Sequence, residues 1–199
     1  MSNKIALGLS GGVDSAVSAL LLKQAGYDVT CVYLECWKMP GCRAEQDHQD
    51  ALKIALQLDI PFKVLDFRDE YQQQVMNYFL AEYKAGRTPN PDVLCNRVIK
   101  FGMFYQWAMN HGFDAIATGH YARVEQWPRE TNNNQGKFPV LATGKDLHKD
   151  QTYFLHQIKQ AQLNHIMFPI GNLKKNQVRQ IAQDNDLHVW DKKDSVGIC

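Results

Sequence analysis

No stretch of the 199-residue chain holds the roughly 18 consecutive apolar residues that a membrane-crossing helix requires. The opening residues, Met1-Ser2-Asn3-Lys4, run straight into a strand-like stretch and lack the three-part architecture of a secretory leader. A cytoplasmic protein with no membrane partner is the expectation. Net charge is nearly absent too: 22 Lys plus Arg stand against 21 Asp plus Glu, leaving +1. At 45% hydrophobic and 22% charged, the chain has neither the apolar poverty nor the one-signed charge of a disordered segment. A basic excess, the usual footprint of a nucleic-acid binder, is missing. The halves differ little: residues 1–99 carry 10 basic and 12 acidic groups, residues 100–199 carry 12 and 9. Cysteines are few and odd in number, Cys31, Cys36, Cys42, Cys95 and Cys199, which argues against a disulfide scaffold and for reduced thiols. No C-x-x-C occurs, and the spacing of Cys36 and Cys42 suits zinc poorly. Cys31, Cys36 and Cys42 read as structural.

What is present is an alternation of short apolar runs and amphipathic stretches. Residues 5–9 form a compact apolar run, followed at once by Ser10-Gly11-Gly12. From 13 to 25, Val13, Val17, Leu20 and Leu21 recur at helical spacing before Gly26. Strands are expected at 28–34, 62–67 and 113–118, and helices at 44–58, 69–84 and from Asp92, as cap, to near Gly112. The aromatic residues Tyr78, Phe79, Tyr83, Phe104, Tyr105 and Trp107 read as core packing. This alternation predicts an α/β, doubly wound parallel sheet, with ligands bound beyond the carboxyl ends of its strands. Further on, 121–126 and 138–142 suggest a hairpin around the asparagine-rich insertion 128–137, and helices are expected near 151–160 and 174–184. The organisation expected is a catalytic domain over 1–145 and, over 146–199, a small, incomplete helical region.

The strongest motif is Ser10-Gly11-Gly12-Val13-Asp14-Ser15 between strand and helix. Two glycines let backbone N–H groups face a ligand, two hydroxyls add donors, and the helix N-terminus favours an anion. Asp14 is odd there: a carboxylate beside phosphates is repulsive unless a cation intervenes, so Mg²⁺ held with the help of Asp14 is expected. The lysine of G-x-x-x-x-G-K-[ST] is missing, which disfavours transfer of a γ-phosphate. A plain glycine turn would explain a bare SGG, but the full hexapeptide resembles the PP-loop of the N-type ATP pyrophosphatases. The resemblance implies ATP as co-substrate, an adenylated oxygen and released pyrophosphate, in an adenine nucleotide alpha hydrolase-like fold.

A second signal is Thr88-Pro89-Asn90-Pro91-Asp92-Val93-Leu94-Cys95-Asn96, which places Cys95 in the first turn of a helix, at or beyond the edge of its apolar stripe. A helix N-terminus there would raise the thiolate fraction, although a lone helical cysteine is more often a small core residue. The segment from Glu82 to Asn96 resembles the hallmark of the tRNA-specific 2-thiouridylases, the MnmA family. The blocks Phe113-Asp114-Ala115-Ile116-Ala117-Thr118-Gly119-His120-Tyr121, Lys149-Asp150-Gln151-Thr152-Tyr153-Phe154-Leu155 and Lys193-Asp194-Ser195-Val196-Gly197-Ile198-Cys199 resemble it further, in family order.

That resemblance implies adenylation of O2 of uridine 34 at the tRNA wobble position, then sulfur transfer from a cysteine persulfide with loss of AMP. Cys199 matches the persulfide carrier and Cys95 the cysteine that frees the sulfur by forming a disulfide with it. Asp92 matches an acid/base or base-orienting residue, with Asn90 and Pro91 shaping the base pocket. Gly8, Leu9, Ser10, Gly11, Gly12, Val13, Asp14 and Ser15 match the ATP loop, and Leu34 and Gly119 its adenine side. His120, Lys149, Asp150 and Gln151 match tRNA contacts, although a capping histidine and a solvated Lys–Asp pair would look the same. The implied partners are tRNAs for Lys, Glu and Gln and a sulfur-carrier protein, with a monomeric enzyme. The missing C-x-x-C disfavours the iron–sulfur thiolases that share the PP-loop. Family members continue into a further tRNA-binding region and a β-barrel, whereas this sequence stops at Cys199; ATP binding with poor tRNA modification is expected of these 199 residues. A PP-loop ligase or amidotransferase acting on a small molecule, and an inactive ATP- or RNA-binding fragment, are the other readings.

Overall fold

The computed structural model describes residues 3–37, 42–128 and 136–194. Its strands are β1 (Lys4–Gly8), β2 (Asp28–Glu35), β3 (Phe62–Asp66), β4 (Ala115–Thr118), the hairpin pair β5 (Ala122–Pro128) and β6 (Lys137–Thr143), and β7 (Ile166–Met167). Five of them form one all-parallel sheet in the order β3-β2-β1-β4-β7, and β5 and β6 form a separate antiparallel pair. The expected doubly wound α/β architecture is the one observed.

Residue alternation explains why this sheet is buried on both sides. In the central strands Ile5, Leu7, Val29, Cys31, Tyr33, Ala115 and Ala117 face one layer. Ala6, Val32 and Ile116 face the other. With both faces covered, such strands read as continuous apolar runs, which is why 5–9 stood out. The first layer is built by α1 (Val13–Gln24), α2 (Ala44–Gln57) and, much later in the chain, α8 (Lys175–Asp184), whose Val178 and Ala182 join the same cluster. Residues beyond 145 thus supply both β7 to the sheet and α8 to its core. Among them, the expected helix over 151–160 is instead the four-residue α7 (Thr152–Leu155), followed by a 3₁₀ turn at Gln160–His165.

The other layer is helical but irregular. Between β3 and β4, α3 (Arg68–Tyr71) continues through a π-helical run, Gln72–Met76, into α4 (Asn77–Lys84). A second run joins α5 (Pro91–Cys95) through π-helical Asn96–Phe104 to α6 (Tyr105–Asn110). π-Helical turns shift which side chains share a face, and they recur near functional sites. Phe104 is fully buried, with Tyr105 and Trp107 packed against its cluster. Tyr78 and Tyr83, expected in the core, are instead 48% and 68% exposed, because α4 buries none of its residues. The asparagines of the 128–137 insertion lie outside the described residues.

Leu7 is wholly buried in the central strand, where its loss leaves a cavity that flanking strands cannot close. Leu7→Ala is expected to cost about 2–5 kcal/mol, read as a lower urea midpoint at unchanged slope.

Candidate active site

The strand order sets the location. From β1 the chain moves to β2 and β3 on one side, then crosses back to β4 on the other, so a crevice opens between the carboxyl ends of β1 and β4. The loop leaving β1 occupies it. Gly12 is the N-cap of α1 in extended conformation, and no side chain caps the helix, so its first N–H groups are left for another acceptor. Ser15 Oγ donates to the Gly12 carbonyl at 3.1 Å, accepts from the Ser10 N–H at 3.2 Å and lies 3.1 Å from Ser10 Oγ. Gly11 has φ +75° and lies so close to α2 that a Cβ would come within 2.2 Å of the Asp47 carbonyl oxygen. Opposite, Gly119 follows β4, and a Cβ on it would sit 2.7 Å from the Ser15 nitrogen. The backbone of one strand end therefore rests directly on the loop of the other. These features fit an anion: an uncapped helix N-terminus flanked by two hydroxyls.

Asp14 is held from two directions. The Tyr121 hydroxyl donates to its Oδ1 at 2.8 Å, and Lys175 Nζ donates to Oδ1 and Oδ2 at 2.8 and 2.7 Å. Burial first, and then the Asp14 charge, pushes the Tyr121 phenol up, so it stays a protonated donor. Lys175 also pairs with Asp194 at 2.7 Å, and Asp194 is shared with Lys149 at 2.7 Å and Arg179 at 3.1 Å. Burial opposes ionisation of Asp194, but hydrogen bonds from Lys149 and Lys175 override it and hold the carboxyl at about 2. An ammonium of the chain itself thus stands at Asp14. Among the described residues no group of three or more His, Cys, Asp and Glu is arranged to hold a metal. A second lysine, Lys192, donates to the Gly11 carbonyl at 2.9 Å, Asp47 at 2.7 Å and buried Asp50 at 2.6 Å, tying the loop to α2.

His120 is buried, its ring against Phe101 and Phe168 and its Nδ1 2.8 Å from Thr118 Oγ1. Burial, and then the Lys100 charge, drives its pKa well below 6.5, so it is neutral. It shapes the turn after β4 from inside. Gln151 exchanges two hydrogen bonds with the Tyr121 backbone, at 2.9 and 3.0 Å. Asp150 accepts from the Gly144 N–H at 2.8 Å and the Thr152 hydroxyl at 2.5 Å. Of the four residues matched to tRNA contacts, Lys149 alone is tied into the ion cluster.

The proline-flanked segment is capped by Asn90, not Asp92: its side chain accepts from the N–H groups of Asp92 and Val93, both at 3.1 Å, with Pro91 following. Cys95 is then the fifth residue of its helix, past the first turn. It is 6% exposed and shares a cluster with Tyr71, Val75, Leu94 and Ile99, inside the stripe rather than beyond its edge. Leu34, at the carboxyl end of β2, packs against this cluster and against the one holding Phe104, whose ring lies 3.6 Å from where a Gly8 Cβ would be. The structure thus brings Gly8–Ser15, Leu34 and Gly119 to one end of the sheet, and Leu34 packs against the cluster that contains Cys95. Cys36 packs against the Cys95 cluster as well. Cys31 is buried within the sheet, and burial pushes its thiol up to about 12. Cys199 lies outside the described residues. The sequence reading missed Lys175, Lys192 and Tyr121; Tyr121 and Asp194 stand inside quoted blocks, but the two lysines belong to no motif.

Residues 3–199 match the family profile described as tRNA methyl transferase HUP domain. The tRNA-specific 2-thiouridylase MnmA of Nitrosomonas europaea is 50% identical over 201 aligned positions, covering 99% of this chain and 53% of its own. That of Francisella tularensis subsp. novicida is 51% identical over 202, covering 100% and 54%. The chain therefore spans about half the length of the curated relatives it matches. The U34-tRNA thiolase NcsA of Methanococcus maripaludis shares the fold, with a TM-score of 0.61 at 18% identity over 94% of this chain and 59% of that one.

Two outcomes follow from this geometry. In Gly119→Ala the new methyl meets backbone of the loop, so a loss of about 1–3 kcal/mol in denaturant titration is expected. His120 takes up a proton in the unfolded chain below about 6.5 but in the folded one only at lower pH, so stability falls as pH drops below 6.5. The slope reaches at most about 1.4 kcal/mol per pH unit. His120→Asn should flatten unfolding free energy between about pH 6.5 and 4.5, above the window in which Asp194 titrates.

Proposed function

The chain belongs to the tRNA methyl transferase HUP domain family, and from that premise we propose that it is the ATP-using catalytic part of a tRNA-uridine 2-sulfurtransferase. ATP lies in the crevice between β1 and β4, its phosphates on the loop from Gly8 to Ser15 and its adenine between Leu34 and Gly119. O2 of uridine 34 attacks the α-phosphate, pyrophosphate leaves, and the adenylated C2 becomes an electrophile. A persulfide on Cys199, supplied by a sulfur carrier, provides the incoming sulfur. Cys95 closes a disulfide with Cys199 as the terminal sulfur departs to C2, and AMP leaves. Asn90, Pro91 and Asp92 border the base. Lys149, Asp150 and Gln151, within the 146–199 region, face the tRNA, with His120 holding the turn beneath them. Asp14, paired with Lys175 without nucleotide, would help to hold a Mg²⁺ arriving with ATP, which would offset the phosphate charge. The tRNAs are those for Lys, Glu and Gln, and the enzyme works as a cytoplasmic monomer.

One observation carries this reading. Leu34, at the nucleotide end of β2, packs on the cluster that holds Cys95, so an anion-binding loop and a thiol share one end of the sheet. The family description speaks of methyl transfer, whereas the relatives at about half identity are named thiouridylases. A cysteine in that cluster favours the sulfur chemistry of the relatives over methyl transfer.

Nucleoside mass spectrometry of tRNA tests it. Cells lacking the gene should lose 2-thiouridine, the chain extended to the length of its relatives should restore it, and the same extension carrying Cys95→Ser should not. Persistence of 2-thiouridine in the deletion would sink the proposal and leave the small-molecule PP-loop ligase, whereas restoration by Cys95→Ser would refute the disulfide-closing role of Cys95.

A further inference from the structure

The loop carries a carboxylate and no lysine of its own, yet an ammonium stands at it. Lys175 opens α8, 161 positions away from Asp14 in the chain. Its backbone N–H is anchored by Asp146 Oδ2 at 2.9 Å, which fixes where the side chain starts. The side chain is 12% exposed, and its Nζ lies 5.8 Å from the centre of the Tyr121 ring. That ammonium meets three carboxylate oxygens, two on Asp14 and one on Asp194, each within 2.7–2.8 Å.

Neither carboxylate depends on Lys175 alone. Asp14 Oδ1 keeps the Tyr121 hydroxyl, and Asp194 keeps Lys149 and Arg179. Lys192 contrasts with it, tied beneath the loop to a backbone carbonyl and to Asp50, which is 6% exposed. Lys175 is therefore the cation that can change partners without stranding a buried charge. Lysine suits exchange: a compact charge with three donors on a flexible stem. Three cations, Lys149, Lys175 and Arg179, stand among three carboxylates, Asp14, Asp146 and Asp194, so the partial positive charge of the uncapped helix N-terminus remains for an anion.

We propose that Lys175 is the lysine of this phosphate loop, delivered from α8, and that it binds the β- and γ-phosphates of ATP by exchanging its carboxylate partners for phosphate oxygens. This rests on the nucleotide reading given above and names the residue that grips the leaving pyrophosphate. On this assignment its partners are the β- and γ-phosphates alone, so Lys175 distinguishes ATP and pyrophosphate from AMP.

Calorimetric titration of ATP, inorganic pyrophosphate and AMP into wild type, Lys175→Met and Asp194→Asn tests it. Lys175→Met should weaken ATP and pyrophosphate by about ten- to a hundred-fold, the worth of hydrogen bonds to a charged group, and leave AMP unchanged. Equal losses for ATP and AMP, or no loss for ATP, would overturn it. Should Lys175→Met fail to fold, Asp194→Asn still decides: removing a competing carboxylate should tighten ATP and pyrophosphate several-fold, and unchanged or weaker binding of ATP refutes the exchange. If wild type binds ATP but the variants behave as in the refuting outcomes, this inference alone fails. If wild type binds no ATP, the nucleotide reading fails and takes this inference with it.

Discussion

The ion pair between Asp14 and Lys175 is the constraint around which the candidate site is arranged. A carboxylate in the first turn of α1 is favoured by the helix end, but it repels the anion that the same helix end would attract. An ammonium at 2.7–2.8 Å from both its oxygens removes that conflict. Satisfying it imposes long-range order. The start of α8 must come to the loop, and α8 does so by packing Val178 and Ala182 into the core layer that α1 also faces. The segment after α8 is fixed by the same charges, through Asp194 on Lys175 and Lys192 on Asp47 and Asp50. The loop, the last helix and residues 192–194 thus form one electrostatic unit assembled from opposite ends of the chain.

A second constraint is steric and lies in the backbone. Gly119 touches the Ser15 nitrogen and Gly11 touches the Asp47 carbonyl, so the loop is clamped between β4 and α2 with no room for a methyl on either side. Such a clamp keeps the N–H groups of the α1 terminus aimed at one point, which serves anion binding better than a mobile loop would. Neutral His120, bonded to Thr118 and wedged between Phe101 and Phe168, stiffens the β4 side of that clamp.

Much of this was legible in the residues. The sheet followed from apolar runs, because strands covered on both faces show no polar alternation. The loop followed from two glycines between a strand and a helix. What escaped was whatever depends on contacts distant in sequence or on a change of helical period. Lys175 and Lys192 leave no periodic trace, since an ion pair across more than 140 positions is invisible to any local window. Tyr78 and Tyr83 were expected in the core as large aromatics, but the helix that carries them follows a π-helical run and buries none of its residues. Cys95 was placed too near the helix start because Asp92 and Asn90 are both good caps, and only the geometry shows that Asn90 accepts the two N–H bonds. Asp150 and Gln151 also tie backbone at Gly144 and Tyr121, bonds that their place in a sequence block does not reveal.

The near-zero net charge lends no direct support to a polyanionic partner, but it also carries little weight against one. Charge balance over a whole chain averages groups that never meet, whereas recognition of a phosphate is decided within a few ångströms, well inside one screening length. Lys149, Lys175 and Arg179 converge on two carboxylates beside a helix end that itself carries partial positive charge. Both carboxylates retain other donors if one cation leaves. A nearly neutral protein can therefore still gather several cations around one helix end. For a chain of this fold, the informative quantity is which cations can be released from their carboxylates, and the carboxylate network around Asp14 and Asp194 singles out one.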